Sequence, residues 1–596
     1  MRVGGAMAVV ACMLALFLCF VQFASSSSPS LTLSSWFPQS STVPLDSSQY
    51  FRLVSFPSLQ ERFLAEFVER LESSSSNVRS LEASHFQWTG VTMFREGRTG
   101  KSWLIVAGAS PKRTRSGNAF RNDFSAVLGC EVSAMEDGSG GFDISVCELL
   151  GLDTGSPTLN HTDGGLLGKG LQSLQLPTGG GVVVICDPLW HKDQGTLSPG
   201  GKCDVLHRRN NVWRAPGPIE FCTSAGHTQP CAGGFSIDLR LTEDGSNAQL
   251  LAGLPFAQPN RRVRTVDDLL RRGQQHIRDI ESEEECFGAA VAWSPHLPSR
   301  SNALAIVGSP SENVYGFPVN SLVEDIDAAV LNLRGDTFGG MGFALETSLV
   351  NGSLIVFAGA PYEDVEKYGA NTGKVYVQYR SMEGTRNYSL SGNRPGEMFG
   401  YAIARIGDVD GDAVADLAIS APSLGDEKTT GRVYIFRVSP DFPFESRPFQ
   451  ILEAPENVTG FGVSLSRGVD LDSDGGPELA VTTLDPKTPV LVYSPPRRLR
   501  AKCTIKANPK VTPTSVRTGD VVTLKFTINL IDSISNKKFP ASPNFQTRHH
   551  QVNPDVLWLE RYKHLISNQN QSDFDLILAE FFGAKQSSNL VPSKPR

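Results

Sequence analysis

The chain has 596 residues, too many for one ordinary domain. Apolar residues make up 40 %, beside 56 glycines, 37 prolines and a net charge of −7. That balance suits a loop-rich, soluble β protein, argues against disorder and gives no sign of nucleic-acid binding.

Arg2, the apolar run Ala6 to Ala24 and the small residues Ser25 to Ser28 predict a secretory signal over residues 1–28. A membrane anchor is the weaker reading, because the run is only just long enough to span a bilayer. No later segment is apolar enough to cross. Leu59, Phe63, Leu64, Phe67, Val68 and Leu71 form a helical stripe, so a helix-like surface insert is expected over about residues 57–79.

A two-part pattern then recurs. Gln87 to Met93 pairs with Val106 to Pro111, and Gly168 to Leu174 pairs with Val182 to Pro188. Gly233 to Ser236 pairs with Leu251 to Pro255, and Phe287-Gly288 with Ile306 to Pro310. Gly340 to Leu345 pairs with Phe357 to Pro361. Two further units start at Phe399-Gly400 and Phe461-Gly462, with a period of about 60 residues in the second half. Each unit supplies three or four short strands, too few to bury a face alone, so radial packing is expected.

The last two units carry chemistry. Asp408, Asp410, Asp412 and Asp416 crowd into nine residues between two strand-like runs, and Asp470, Asp472, Asp474 and Glu478 repeat the spacing. Like charges this close repel unless a cation sits among them, and hard oxygen ligands in a tight loop suit calcium. Neither loop is an EF-hand, because Ile419 and Val481 stand where the bidentate Glu belongs. A solvated acidic turn is the bland alternative.

Seven units of a Phe-Gly-type start and a Gly-Ala-Pro-type end, the last two with an acidic loop between, resemble the FG-GAP repeats of integrin alpha subunits. The resemblance covers roughly residues 86–530 and implies an all-β fold. Its parts would be a seven-bladed β-propeller over residues 30–494 and an immunoglobulin-like, thigh-type β-sandwich starting in residues 495–596. Thr504 to Asn508 and Val521 to Leu530 alternate like strands of that second domain, with Thr518 to Asp520 as a turn. The stretch Arg548 to Arg596 matches no part of the family, and the chain is about half the length of a full integrin alpha subunit.

By resemblance, the two loops brace the propeller's lower face and hold two structural Ca2+ ions. Asp408, Asp410, Asp412 and Asp416 with the Val414 carbonyl form one set. Asp470, Asp472, Asp474 and Glu478 with the Gly476 carbonyl form the other. Ala413 stands where the family usually has Gly, at a bend that prefers Gly. Three local cysteine pairs, Cys130 with Cys147, Cys186 with Cys203 and Cys222 with Cys231, resemble the propeller's disulfides. Cys286 is expected to be a buried free thiol, and Cys503 to have lost its partner. Asn160, Asn351, Asn387, Asn457 and Asn570 lie in N-x-S/T sequons, candidate glycosylation sites in an exported chain.

The family's function would make this an adhesion-receptor chain, not an enzyme, that pairs with an integrin β subunit. It would then bind an extracellular-matrix or cell-surface ligand and signal at the plasma membrane. No insert separates units two and three, which places the resemblance in the class without an I domain. The loop Thr223 to Pro230 holds His227 and no acid, so an RGD ligand is not expected. The chain's own Arg334-Gly335-Asp336 reads as coincidence. The alternatives are a secreted FG-GAP binding protein without a β partner, and a phospholipase D of the type that carries FG-GAP repeats. The second lacks the His- and Asp-rich catalytic domain that it would need ahead of the repeats.

Overall fold

The computed structural model describes residues 51–53, 65 and, with gaps in several loops, 87–495, together with strands in 499–552. The expected signal over 1–28 and, apart from the helical Ala65, the insert over 57–79 lie outside these residues. Two compact units divide the chain, residues 1–497 and 498–596.

Among the described residues of the first unit, the regular structure other than the helical Ala65 is β-strand. A short strand, β1 (Arg52–Leu53), comes first. The first sheet holds β2 (Gln87–Arg95) and β3 (Ser102–Ala109). A separate hairpin, β4 (Arg113–Ser116) and β5 (Ala119–Asn122), precedes its remaining strands, β6 (Ser125–Ala134) and β7 (Phe142–Leu149). The second sheet is β8 (Gly170–Gln175), β9 (Gly181–Asp187) and β10 (Lys202–Arg209), with β11 (Val212–Arg214) and β12 (Pro218–Glu220) both on the far side of β10. The third is β13 (Ser236–Leu241), β14 (Ala248–Gly253), β15 (Arg261–Val266) and β16 (Ile277–Glu281). The fourth is β17 (Ala290–Trp293), β18 (Leu304–Ser309), β19 (Asn313–Pro318) and β20 (Leu331–Arg334). The fifth is β21 (Ala344–Val350), β22 (Ser353–Ala360), β23 (Lys374–Ser381) and β24 (Gly384–Ser391). The sixth is β25 (Ile403–Gly407), β26 (Asp416–Ala421), β27 (Arg432–Phe436) and β28 (Gln450–Glu453). These six sheets are blades of a β-propeller.

A further three-stranded sheet is built from both ends of the unit. Here β29 (Leu479–Thr482) pairs with β30 (Val490–Ser494), and β1 adds to the other edge of β30, with Arg52 opposite Ser494. The Gln450 side-chain amide holds the start of β1 by donating to the Phe51 carbonyl (2.9 Å) and accepting its N–H (2.7 Å).

Burial follows position within a blade. The second strands are mostly apolar and buried, as in Gly181–Asp187 and Ser353–Ala360, because both faces are covered. The fourth strand β24 is mostly exposed. The cores lie between neighbouring sheets rather than within them. Phe94, Trp103 and Val183 join sheets one and two, Phe357 and Phe436 join five and six, and Ile435 and Tyr493 join six to the three-stranded sheet. Trp88 and Val492 join the three-stranded sheet back to sheet one.

The repeated glycines are the joints of this packing. Gly288, Gly342, Gly400 and Gly462 all take positive φ, between 85° and 95°. Each donates its N–H to a second-strand carbonyl of its own blade or sheet, as Gly288 does to Gly308 (3.0 Å) and Gly400 to Ser420 (3.0 Å). Their own backbones then press on the preceding blade. A Cβ on Gly253, Gly308 or Gly359 would come within 3.0 Å of Gly288, Gly342 or Gly400. Phe-Gly and Gly-Ala-Pro therefore meet across a blade boundary, where no side chain fits.

Disulfides join Cys130 to Cys147, Cys186 to Cys203 and Cys222 to Cys231. Cys130 and Cys147 lie opposite each other on β6 and β7, inside the first sheet. Cys286, expected as a free thiol, is buried and disulfide-bonded, its partner lying outside the described residues. Arg334 ends the outer strand of the fourth blade. No helix among the described residues is long and apolar enough to cross a membrane.

The second unit contains one antiparallel sheet, β31 (Leu499–Asn508), β32 (Val522–Asp532) and β33 (His550–Val552). The side chain of Cys503 lies outside the described residues.

Candidate metal centre and axial cluster

Inner strand β25 ends at Gly407 and runs straight into the first acidic loop. Asp408 Oδ2 accepts the Ala413 N–H (3.0 Å), and Asp412 Oδ1 accepts the Val414 N–H (2.8 Å). Those bonds bend the chain tightly enough to put Ala413 at φ 69°. Asp416, fully buried at the start of β26, accepts the N–H groups of Val409 (2.7 Å) and Val438 (2.8 Å). Asp410 lies outside the described residues.

The second loop is the better assembled. Carboxylate oxygens of Asp470, Asp472 and Glu478 lie within 4.8 Å of one another, the only such acidic group among the described residues. Oxygens on opposite sides of one Ca2+ are about 5 Å apart, twice the usual Ca–O distance, so the spacing fits a shared calcium ion. Glu478 is fully buried and oriented by the Leu471 N–H (2.7 Å) and the Ser494 hydroxyl (3.1 Å). Asp470 Oδ2 accepts the Gly475 N–H (3.1 Å), and Gly475 takes φ 85° at the position that Ala413 fills in the first loop. Gly476 follows within the loop, and Asp474 lies outside the described residues. Among the described residues, Arg95 comes within 3.9 Å of Asp470.

At the other end of the inner strands, Phe343 packs edge-on against Tyr362 (ring centroids 5.8 Å) and tilted against Tyr401 (5.1 Å). Tyr401 precedes β25 and Asp408 follows it. Aromatic rim and acidic loop therefore stand roughly 17 Å apart along the strand.

Between these ends lies a cavity of about 80 Å³. Its wall takes Thr92, Gln172, Asp238 and Val291 from the first four blades, then Glu346, Ala404 and, before the three-stranded sheet, Arg467. Seven successive chain segments thus face one axis. Asp238 and Glu346 are buried, and Arg467 reaches both from the opposite side. The cluster was missed in the sequence, although it left a signal. Asp238 and Glu346 both stand four residues after a repeat glycine, Gly234 and Gly342. Arg405 and Arg467 both stand five after theirs, Gly400 and Gly462. Burial alone would raise the Glu346 carboxyl, but Arg467 and Arg405 hold it below the usual range. The two carboxylates in turn hold Arg467 charged against its burial.

Of the sequon residues, Asn351 is an exposed turn residue, Asn387 is exposed on β24 and Asn457 is exposed in a loop. Asn160 and Asn570 lie outside the described residues.

The FG-GAP repeat family matches residues 399–436, the strand–acidic loop–strand segment just described. Blades and interlocked glycines define a β-propeller chain that contains an FG-GAP repeat. The chain is similar to integrin alpha subunits. It is 27 % identical to integrin alpha-5 of Xenopus laevis over 367 residues, 56 % of this chain and 34 % of that protein. It is 29 % identical to integrin alpha-V of Gallus gallus over 397 residues, covering 61 % and 38 %. With integrin alpha-PS2 of Drosophila melanogaster it shares 35 % over 173 residues, covering 26 % and 12 %. The matched stretch is thus between 12 % and 38 % of the relatives' own length. These relatives are integrin chains, not enzymes.

Proposed function

We propose that this chain supplies the head of an integrin alpha subunit, of the class without an I domain. In this reading the three-stranded sheet is the seventh blade, completed by β1, and residues 30–494 are the propeller. Residues 495–596 then begin a thigh-like sandwich, and residues 1–28 direct export to the cell surface. An integrin β subunit docks at the aromatic end of the inner strands, around the half-buried Phe343 and Tyr362, and the pair binds an extracellular-matrix or cell-surface ligand and signals.

Two Ca2+ ions brace the opposite end. Asp470, Asp472, Asp474, Glu478 and the Gly476 carbonyl hold one, and Asp408, Asp410, Asp412, Asp416 and the Val414 carbonyl the other. Each ion neutralises its loop's carboxylates and ties the end of an inner strand to the second strand. Glycans are carried at the sequons, the exposed Asn351, Asn387 and Asn457 being the best placed.

The observation that carries this reading is the similarity to integrin alpha-5 and alpha-V over more than half of the chain. Co-secretion with a soluble integrin β headpiece tests it. Stoichiometric recovery on the β chain in calcium, lost with chelator, is the expected result. Secretion of the folded chain alone would reject the β-partner reading in favour of a stand-alone FG-GAP binding protein.

A further inference from the structure

We propose that Asp238 and Glu346 form a guanidinium site on the propeller axis, which the chain fills with its own Arg467 and so ties opposite sides of the ring together. Arg467 Nη1 donates to Asp238 Oδ1 (2.8 Å), and Nη2 reaches Oδ2 (3.3 Å). Its Nε donates to Glu346 Oε2 (3.0 Å), and Nη2 also reaches Oε1 (3.1 Å). The planar fork thus meets two carboxylates two-fold each, which a lysine ammonium cannot reproduce.

The carboxylates are built in rather than splayed from a surface. Both acidic side chains are 3 % exposed, whereas that of Arg467 keeps 27 %. Asp238 is held by the Trp293 N–H from the next blade (2.8 Å) and by the Leu239 N–H (2.8 Å). Glu346 accepts the Thr347 N–H (3.0 Å). Thr347 in turn donates its hydroxyl to the Trp293 carbonyl (2.6 Å), linking blades four and five. Arg467 adds a link of another kind, bonding partners 229 and 121 residues away across the axis. Packing between neighbouring blades holds each to the next, whereas the Arg467 bonds also join chain segments that are not neighbours around the ring.

The two carboxylates are not equivalent. Arg405 also approaches Glu346 (Nε to Oε1, 3.3 Å), so Glu346 keeps a counter-charge if Arg467 is removed. Asp238 has no second cation among the described ion pairs. Truncating Arg467 therefore leaves one buried, uncompensated carboxylate beside a cavity, which is costly and suited to a guanidinium from solution.

The test uses the full secreted chain and inorganic guanidinium as the probe. Arg467→Ala should unfold at a temperature several degrees below wild type. Guanidinium chloride, far below denaturing concentration, should restore much of the loss saturably, while sodium chloride at equal ionic strength should not. In Asp238→Asn/Arg467→Ala the rescue should vanish. Wild-type stability of Arg467→Ala, or recovery equal with sodium, would overturn the proposal. If Arg467→Ala is not secreted, the comparison is Arg467→Met alone against Asp238→Asn/Glu346→Gln/Arg467→Met. Recovery of secretion in the neutral triple variant supports the site, and equal failure or equal success of the two rejects it.

Discussion

The carbonyl oxygen of Gly400 occupies the place that a Cβ on Gly359 would take. One glycine opens the sixth blade's repeat and the other closes the second strand of the fifth, so the spacing between blades is set by glycine on both sides. Gly359→Ala should separate the two blades and destabilise the propeller by about 1–3 kcal/mol, the usual cost of overpacking. Urea denaturation followed by tryptophan fluorescence measures this, and a wild-type midpoint would show that the joint can give.

Ala413 sits at φ 69°, a conformation that costs an L-residue roughly 1 kcal/mol more than glycine. Ala413→Gly is expected to stabilise the calcium-loaded chain by about that amount and to tighten calcium binding at the first loop. Titration calorimetry on the two proteins checks both. An unchanged or weaker affinity would mean that the strain is relieved elsewhere.

Asp472 belongs to the acidic group whose oxygens match a shared ion, and it is neither the buried anchor Glu478 nor the start of the loop. Asp472→Asn should leave the apo protein as stable or slightly more stable, since it removes like-charge repulsion. It should also shrink the rise in melting temperature on adding calcium, because stabilisation by a ligand follows its affinity for the folded state. A full calcium-induced rise in the variant would exclude the second loop as a binding site.

Glu397 is buried, and burial pushes its carboxyl above the usual value. The Tyr434 hydroxyl (2.8 Å) and the Asn393 N–H pull the other way without overcoming it. In the unfolded chain it titrates near about 4.3. Between that value and the higher folded one, the folded chain binds more proton, so this group's contribution to stability falls as pH rises. Glu397→Gln cannot titrate and should flatten the corresponding part of the stability–pH curve. Parallel curves for variant and wild type would show that the carboxylate is fully solvated in the folded state.

Much of the fold was legible because its signals are local. Phe-Gly and Gly-Ala-Pro mark strand ends within one unit, the carboxylates of each acidic loop fall within nine residues, and each of the three cysteine pairs spans a single sheet or one loop. Spacing along the chain is enough for such features, since backbone periodicity and turn chemistry act over a few residues.

The tertiary structure decided what depends on distant segments meeting. β1 completes the sheet of β29 and β30 from the far end of the unit, and its two residues carry no repeat signature. Cys286 entered a disulfide where local spacing suggested a free thiol. Asp238 and Glu346 on two inner strands, and Arg467 in the segment before β29, are ordinary charges until the blades turn about one axis. Only then do they lose water, and only then must they neutralise one another.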